Sequence, residues 1–214
     1  MPETKFRKIN NLIGWILFSV ALVTYGLTVE PTASYWDAGE YISTSAKLQV
    51  GHPPGAPFFQ MMGAVFSLFA SNNETIAIAV NFLSVVSSAF VIVFLFWSTT
   101  LFLKKISKKN NFANDTNILL SSSIGALAFT FSDSFWFNAV ETEVYALAML
   151  FLSVTFWCGL RWEKDFDNKR GDKWLLLICF LIGLSFGVHF MAILTIPAIG
   201  MIYFFKKYEK ITIK

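Results

Sequence analysis

The sequence predicts an all-α integral membrane protein, a polytopic helix bundle of about six membrane segments over residues 1–214. Of the 214 residues, 55% are hydrophobic and only 14% are charged, whereas roughly a quarter of the residues in a soluble domain are charged. The apolar residues form runs, several of them near the ~20 residues that a helix needs to cross a bilayer. The charged residues fall in short stretches between those runs, which is the arrangement expected of membrane helices joined by polar loops.

The first apolar run, residues 11–29, is expected to be an uncleaved membrane helix. A signal peptide is the alternative, but its apolar region usually has about 7–15 residues and ends at a small-residue cleavage site. Residues 30–74 are predicted to form an external loop that carries juxtamembrane helices. Within this loop, residues 57–70 are too few to span a bilayer and begin with a proline, so we expect a short helix at the interface.

The remaining apolar runs predict five spans, at residues 75–103, 118–131, 144–160, 174–188 and 190–205. The last two come from one run that is too long for an ordinary span and is interrupted near Gly187 and His189, so we expect a hairpin of two short helices. Cys158 and Cys179 both lie in apolar runs and are expected to be packing residues.

Basic residues cluster in four places, at the N-terminus and in residues 104–109, 161–173 and 206–214. With six segments, all four clusters lie on one side of the membrane, and the positive-inside rule makes that side cytoplasmic. These residues are therefore interpreted as topology signals and not as a nucleic-acid-binding surface. The opposite, external face receives the ionisable residues Asp37, Glu40, His52, Asp133, Glu141, Glu143 and His189. The sequence thus predicts one polar site at the outer membrane surface, built from three loops.

The first external loop holds two motifs, Asp37-Ala38-Gly39-Glu40 and His52-Pro53-Pro54-Gly55-Ala56-Pro57. Together with residues 140–145 and the glycine-rich stretch 183–189, they resemble the GT-C class of membrane glycosyltransferases, and most closely a largely bacterial family related to the protein O-mannosyltransferases. The resemblance covers nearly the whole chain. It implies a multi-pass protein of the bacterial inner membrane that uses no cofactor and takes its sugar, with mannose as one candidate, from a polyprenyl-phosphate donor. The acceptor would be a hydroxyl group, such as that of a protein serine or threonine, and the reaction would invert the sugar linkage.

By this resemblance Asp37 is the catalytic base, and partial desolvation beside Tyr35 and Trp36 would raise its pKa. The alternative is that Asp37 only caps the following helix. Glu40, one helical turn later, is expected to orient the acceptor or share the proton. Tyr35 and Trp36 are candidate stacking partners for a sugar ring, and His52, held by two prolines, is a candidate ligand of a phosphate or a sugar hydroxyl.

Glu141 and Glu143 are further candidates for substrate binding, but on a helix two residues so spaced point to nearly opposite faces, so at most one is expected to face the site. His189 is either part of the site or a buried, hydrogen-bonded histidine. No metal is expected, because the histidines and carboxylates lack a spacing typical of metal ligands.

The chain is shorter than GT-C enzymes generally are and resembles their N-terminal half. Two alternatives therefore stay open beside a glycosyltransferase that contacts lipid, donor and acceptor. One is a non-catalytic or split membrane subunit of GT-C-like fold, completed by a second chain. The other is a transporter, in which carboxylates within the membrane relay ions.

Overall fold

A computed structural model describes residues 1–110, 112–167 and 171–208. All regular structure in these ranges is helical, which confirms the expected all-α fold for the described part of the chain. The α-helices within these ranges are α1 (Glu3–Leu27), α2 (Ala38–Lys47), α3 (Pro57–Ser67), α4 (Ile76–Asn110), α5 (Asp115–Thr130), α6 (Asp133–Ala139), α7 (Val144–Asp165), α8 (Asp172–Ser185) and α9 (Thr195–Lys207). Short 3₁₀ turns at Asn73–Thr75 and Phe190–Leu194 lead into α4 and α9.

Among the described residues, four helical stretches are long and apolar enough to cross a membrane: Glu3–Leu27, Asn73–Lys108, Val144–Asp165 and Phe190–Lys207. A fifth is gained if α5 and α6, which meet at a bend of 66°, count as one span. The sequence predicts about six segments. If α5 and α6 count as one span, the predicted segment that does not qualify as a span is α8. This helix has 14 residues and a length of only about 21 Å, well short of the ~30 Å hydrocarbon core.

The helices extend beyond the predicted apolar runs where those runs meet basic residues. The predicted starts and ends at residues 11, 103 and 160 become Glu3, Asn110 and Asp165 in the structure. A helix does not end where its apolar residues end, because Lys and Arg can lay their aliphatic stems along the helix and keep their charges in water.

Contacts between helix termini define two ends of the bundle. Lys104 near the end of α4 contacts Glu3 at the start of α1 at 2.8 Å, and Lys105 contacts Glu163 near the end of α7. We call this the basic end. At the opposite end, Tyr25 near the end of α1 donates a hydrogen bond to the Thr130 carbonyl oxygen at 2.9 Å. The chain leaves α1 at this end and enters α2, whose start carries the predicted site residues Asp37 and Glu40. We therefore call it the site end.

The centre of the bundle is α4, which packs against α1, α5 and α7. Its buried face combines apolar side chains such as Val85 and Ile92 with small residues such as Ser88 and Ala89. Small residues let membrane helices approach closely, which is the main source of packing energy where lipid surrounds the bundle.

The last part of the chain runs out and back along α7. Trp174 at the start of α8 donates to the Asp165 carboxylate at 3.1 Å near the basic end. The chain then turns between α8 and the 3₁₀ segment, where His189 packs on Tyr145 at the site end. Helix α9 returns and stacks Tyr203 on Trp162, with ring centroids 5.3 Å apart. The turn therefore lies at the predicted position near His189.

Candidate active site

Asp37 lies at the site end, immediately before α2, and its side chain is 54% exposed. It occupies the N-cap position, yet its side chain makes no capping hydrogen bond. The structure therefore gives no support to the alternative that Asp37 serves only to cap α2. The preceding Trp36 has a φ of 59°, a left-handed conformation that costs a non-glycine residue about 1–3 kcal/mol. This turn directs Tyr35 and Trp36 outward, where they are 78% and 85% exposed.

Glu40 and His52 form a tight pair beside Asp37. One carboxylate oxygen of Glu40 accepts the His52 backbone N–H at 2.6 Å, and the other lies 3.0 Å from His52 Nδ1. The remaining ring nitrogen, Nε2, is 3.9 Å from the Asp37 carboxylate. The two motifs of the loop are thus brought together as one cluster of three side chains, which we call the Asp37 cluster.

The pairing shifts both titrations toward the charged forms. The backbone and side-chain hydrogen bonds from His52 lower the pKa of Glu40. The hydrogen bond and charge of Glu40 raise the pKa of His52. The ion pair is therefore complete between these two pKa values, and it is lost on acidification below the first or when the pH rises above the second.

The Glu40 carboxylate is held by close packing of α2 against α3. A methyl group added at Gly51 would lie 2.9 Å from Glu40 Oε1 and 3.0 Å from Gln60 Nε2. Gln60 is buried and donates to the Thr44 hydroxyl at 3.1 Å. The space next to the carboxylate exists only because position 51 has no side chain.

Glu141, Thr142 and Glu143 lie in a non-helical link between α6 and α7, with a bend at Glu141 and extended backbone at Glu143. The helical premise that only one glutamate could face the site is therefore wrong, because both side chains reach the first loop. Glu141 accepts a short hydrogen bond from the Ser34 hydroxyl, and Glu143 accepts the Asp37 backbone N–H at 3.2 Å. Both glutamates are nearly inaccessible, with 2% and 5% exposure.

Thr142 extends the same connection through α4. Its hydroxyl donates to the Asn81 side-chain oxygen. The Asn81 amide in turn donates to the backbone carbonyls of Glu30 at 2.6 Å and Thr32 at 3.0 Å. Three consecutive side chains thus fix the course of the first loop from Glu30 to Asp37, and so fix where the Asp37 carboxylate stands.

Burial raises the pKa of both glutamates, which have no cation partner among the described residues. For Glu143 the pKa rises from its ordinary 4.5 to about 7, chiefly by desolvation, with a smaller contribution from the negative charges of Asp37 and Glu141. The Asp37 N–H opposes this rise. Desolvation also raises the pKa of Glu141, against the hydrogen bond from Ser34. Glu143 therefore exchanges a proton near neutral pH, one backbone hydrogen bond away from Asp37.

His189 lies apart from the Asp37 cluster. Its ring packs on those of Tyr145 and Phe190, with centroid-to-centroid distances of 5.6 and 6.4 Å. Within the described ranges no hydrogen bond links it to Asp37, Glu40 or His52, and its Nδ1 is buried without a partner. It is thus neither joined to the cluster nor hydrogen-bonded as a structural histidine would be.

Sequence reasoning did not identify Asn81, Gln60 or Ser34 as parts of the site. The signal for the first two is an amide side chain inside an apolar run, since such a group needs a polar partner when it is buried. Ser34 gives no comparable signal, because an isolated loop serine is usually solvated.

Metal binding has one candidate set of ligands among the described residues. Ligand atoms of Asp37, Glu40 and His52 lie within 4.8 Å of one another. A histidine must be neutral to bind a metal, whereas pairing with Glu40 raises the pKa of His52. The expectation that no metal is used remains a prediction.

Comparison with known proteins adds evidence of a different kind. The chain is 28% identical over 158 residues to "Protein O-mannosyl-transferase tmem260" of Dictyostelium discoideum, covering 72% of this chain and 18% of that protein. It is 26% identical over 170 residues to "Protein O-mannosyl-transferase TMEM260" of Mus musculus, covering 79% of this chain and 22% of that protein. The chain thus spans about a fifth of the length of these relatives. No solved structure matches it significantly.

The sequence profile described as "Protein O-mannosyl-transferase TMEM260 N-terminal domain" matches residues 37–212. This match begins at Asp37 itself and takes in every helix from α2 to α9. The chain therefore belongs to the family of the TMEM260 N-terminal domain of protein O-mannosyl-transferases.

Proposed function

We propose that this chain forms the catalytic membrane module of a GT-C-class glycosyltransferase that moves mannose from a polyprenyl-phosphate donor to a serine or threonine hydroxyl of a protein. One observation carries the proposal. The Asp37 carboxylate is exposed, is not used for capping, and stands 3.9 Å from a histidine whose pKa is raised. The family relationship supports a glycosyltransferase acting on protein.

Asp37 would act as the general base. As the acceptor oxygen attacks the anomeric carbon, its proton passes to the Asp37 carboxylate and the bond to the donor phosphate breaks. The leaving lipid phosphate keeps the bonding electron pair. A single displacement of this kind inverts the configuration at the anomeric carbon. Protonated His52, with Nε2 on the Asp37 side of its ring, would donate to the phosphate as negative charge grows on it.

Glu40 would serve as a positioning residue and not as a second base. Both of its carboxylate oxygens are engaged with His52, and their charge favours the protonated imidazole. Tyr35 and Trp36 stand exposed beside the base, where aromatic rings can pack against a sugar ring and against the membrane interface. Glu143 would hold the Asp37 backbone in register through the 3.2 Å hydrogen bond.

The proposal places the site end on the external face of the membrane and the N-terminus in the cytoplasm. The support is the concentration of Lys and Arg at the basic end, which the positive-inside rule assigns to the cytoplasm. The bacterial inner membrane as the location stays a prediction.

The deciding experiment deletes the gene that encodes the chain and restores it as wild type, Asp37→Asn or Asp133→Asn. Asp133 is the matched control, because it is an exposed aspartate at the start of α6 at the site end. Hexose bound to serine and threonine is then counted by mass spectrometry of membrane-protein peptides. General base catalysis contributes about 10²–10⁴ in rate, so Asp37→Asn should lower initial transfer by that factor while Asp133→Asn matches wild type.

Two other outcomes would each reject a different part of the proposal. Equal hexose content in the deletion and wild-type strains would reject transfer itself. Full transfer by Asp37→Asn, combined with loss on deletion, would reject the base and favour a non-catalytic subunit. The transporter alternative has less support, because the buried carboxylates among the described residues, Glu141 and Glu143, lie together at one end of the bundle.

A further inference from the structure

Charged side chains also gather at the opposite end of the bundle from Asp37. Helix α1 has 25 residues, so its start at Glu3 lies about 37 Å from its end near the Asp37 cluster. Two adjoining cavities of about 310 and 810 Å³ open at this basic end between α1, α4 and α7, and Lys206 of α9 also lines the larger one. Basic side chains outnumber acidic ones in the lining of each.

Three charged residues line both cavities and meet where the cavities adjoin. The Glu3 carboxylate lies between two lysines, 2.8 Å from Lys104 Nζ through one oxygen and 3.3 Å from Lys164 Nζ through the other. The structure thus already holds one anionic group with two oxygens between these cations. That group belongs to a side chain that is 63% exposed, so an external anion can compete for its place.

The smaller cavity offers another donor and an apolar wall. The Cζ atom of Arg161 lies 5.6 and 5.3 Å from the ring centroids of Trp157 and Trp174. The buried Nε of Arg161 has no acceptor among the described residues. Phe6 lines the same cavity, and the centroid of its ring lies 3.6 Å from Lys104 Nζ. A ligand for this space combines an anionic group with an apolar part.

We propose that the basic end binds the phosphate headgroup of an anionic membrane lipid, which Lys104 and Lys164 contact in place of Glu3. Basic pockets between membrane helices are suited to phosphate headgroups, because the lysines neutralise the phosphate while the helix surfaces accept acyl chains. Leu101, Phe102 and Leu160 line the larger cavity and provide such a surface. This site is independent of the sugar-transfer proposal, since it shares no residue with the Asp37 cluster.

The test measures retention of phosphatidylglycerol by the purified 214-residue chain, with native mass spectrometry over a series of lipid concentrations. Wild type is compared with Lys104→Gln/Lys164→Gln and with the control Lys5→Gln/Lys8→Gln, which removes the same charge from exposed positions of α1 that line neither cavity. One lysine near a phosphate surface contributes about fivefold in affinity. The first pair should therefore lower affinity about 25-fold, and the control pair less than about twofold.

Glu3→Gln is expected to change the phosphatidylglycerol affinity in the opposite direction. Misfolding would lower the affinity, so it cannot explain a gain. Removing the internal anion should raise phosphatidylglycerol affinity about fivefold. Equal losses in the two lysine pairs, no gain with Glu3→Gln, or equal retention of phosphatidylcholine would each overturn the proposal. Glycerol phosphate separates the sources of the phosphate group: its binding without retention of phosphatidylglycerol would refute the lipid assignment, whereas failure to displace the lipid supports it.

Discussion

Replacement of Glu143 by glutamine should make the protein more stable at alkaline pH. The Glu143 side chain is 5% exposed and has no cation partner among the described residues; it accepts a hydrogen bond from the Asp37 N–H. Glutamine has nearly the same shape and its amide oxygen can accept the same hydrogen bond. The substitution therefore removes the buried charge and leaves the connection between the two loops in place.

The magnitude follows from the raised pKa. Burial raises the pKa of Glu143 from 4.5 to about 7, so the folded protein binds a proton that the unfolded chain releases between these values. The contribution of Glu143 to stability is then greatest below pH 4.5 and falls as the pH rises through about 7. At 1.36 kcal/mol for each pKa unit, the loss by pH 8 is about 3 kcal/mol. For a chain of this size that is roughly 6–12 °C in the thermal midpoint.

The assay is the thermal midpoint of the purified protein at pH 4.5, 6, 7 and 8, followed by tryptophan fluorescence. Other groups also titrate here, so the quantity of interest is the difference between wild type and Glu143→Gln. It should be near zero at pH 4.5 and grow through pH 7 in favour of the variant. Glu74→Gln, a change at an exposed glutamate, should show no such growth. A parallel pH profile for wild type and Glu143→Gln would refute the argument that this carboxylate is protonated by burial.

Three further predictions concern topology, packing and metal. After both native cysteines are replaced, an impermeant thiol reagent should label Ser43→Cys in intact cells and Asn110→Cys only after permeabilisation, because these exposed positions lie near opposite ends of the bundle; labelling of the second in intact cells would reverse the orientation. Gly51→Ala should lower sugar transfer roughly tenfold by displacing the Glu40 carboxylate, whereas Gly125→Ala, where a methyl group meets nothing within 4 Å, should match wild type. EDTA should leave transfer unchanged, and a loss restored by an added divalent cation would show that the Asp37 cluster binds a metal.

The helices of this protein could be predicted from the sequence, because each depends on a local property. Long apolar runs can lie in lipid only as helices, since no water is present to satisfy the backbone. The short helix α3 was predictable for the same local reasons, a proline at its start and too few apolar residues to span. The number of spans was harder to predict, because the break near His189 was expected but the short helix before it, α8, was counted as a span, and its 14 residues are too few to cross a bilayer.

The candidate site shows the same division at closer range. The spacing of Asp37 and Glu40 places them one helical turn apart, and the motif containing His52 follows in the same loop, so their shared location could be predicted. The role of Glu40 could not, because its two oxygens are occupied by a residue 12 positions later. The backbone conformation of Glu141 and Glu143 could not be predicted either, since this link is not helical and its side chains are held by contacts with the distant first loop.

The sequence by itself determined that this is a helical membrane protein with an acidic, histidine-containing loop after its first helix. Hydrophobicity, charge position and motif spacing are local, and they act in the same way in any fold. Only the tertiary structure decided that the Glu143 carboxylate, 106 residues away in the chain, would meet the Asp37 N–H, and that the Glu3 carboxylate would lie between Lys104 and Lys164. Such contacts depend on how α1, α4 and α7 pack together, and a buried carboxylate acquires its raised pKa only once that packing has removed its water.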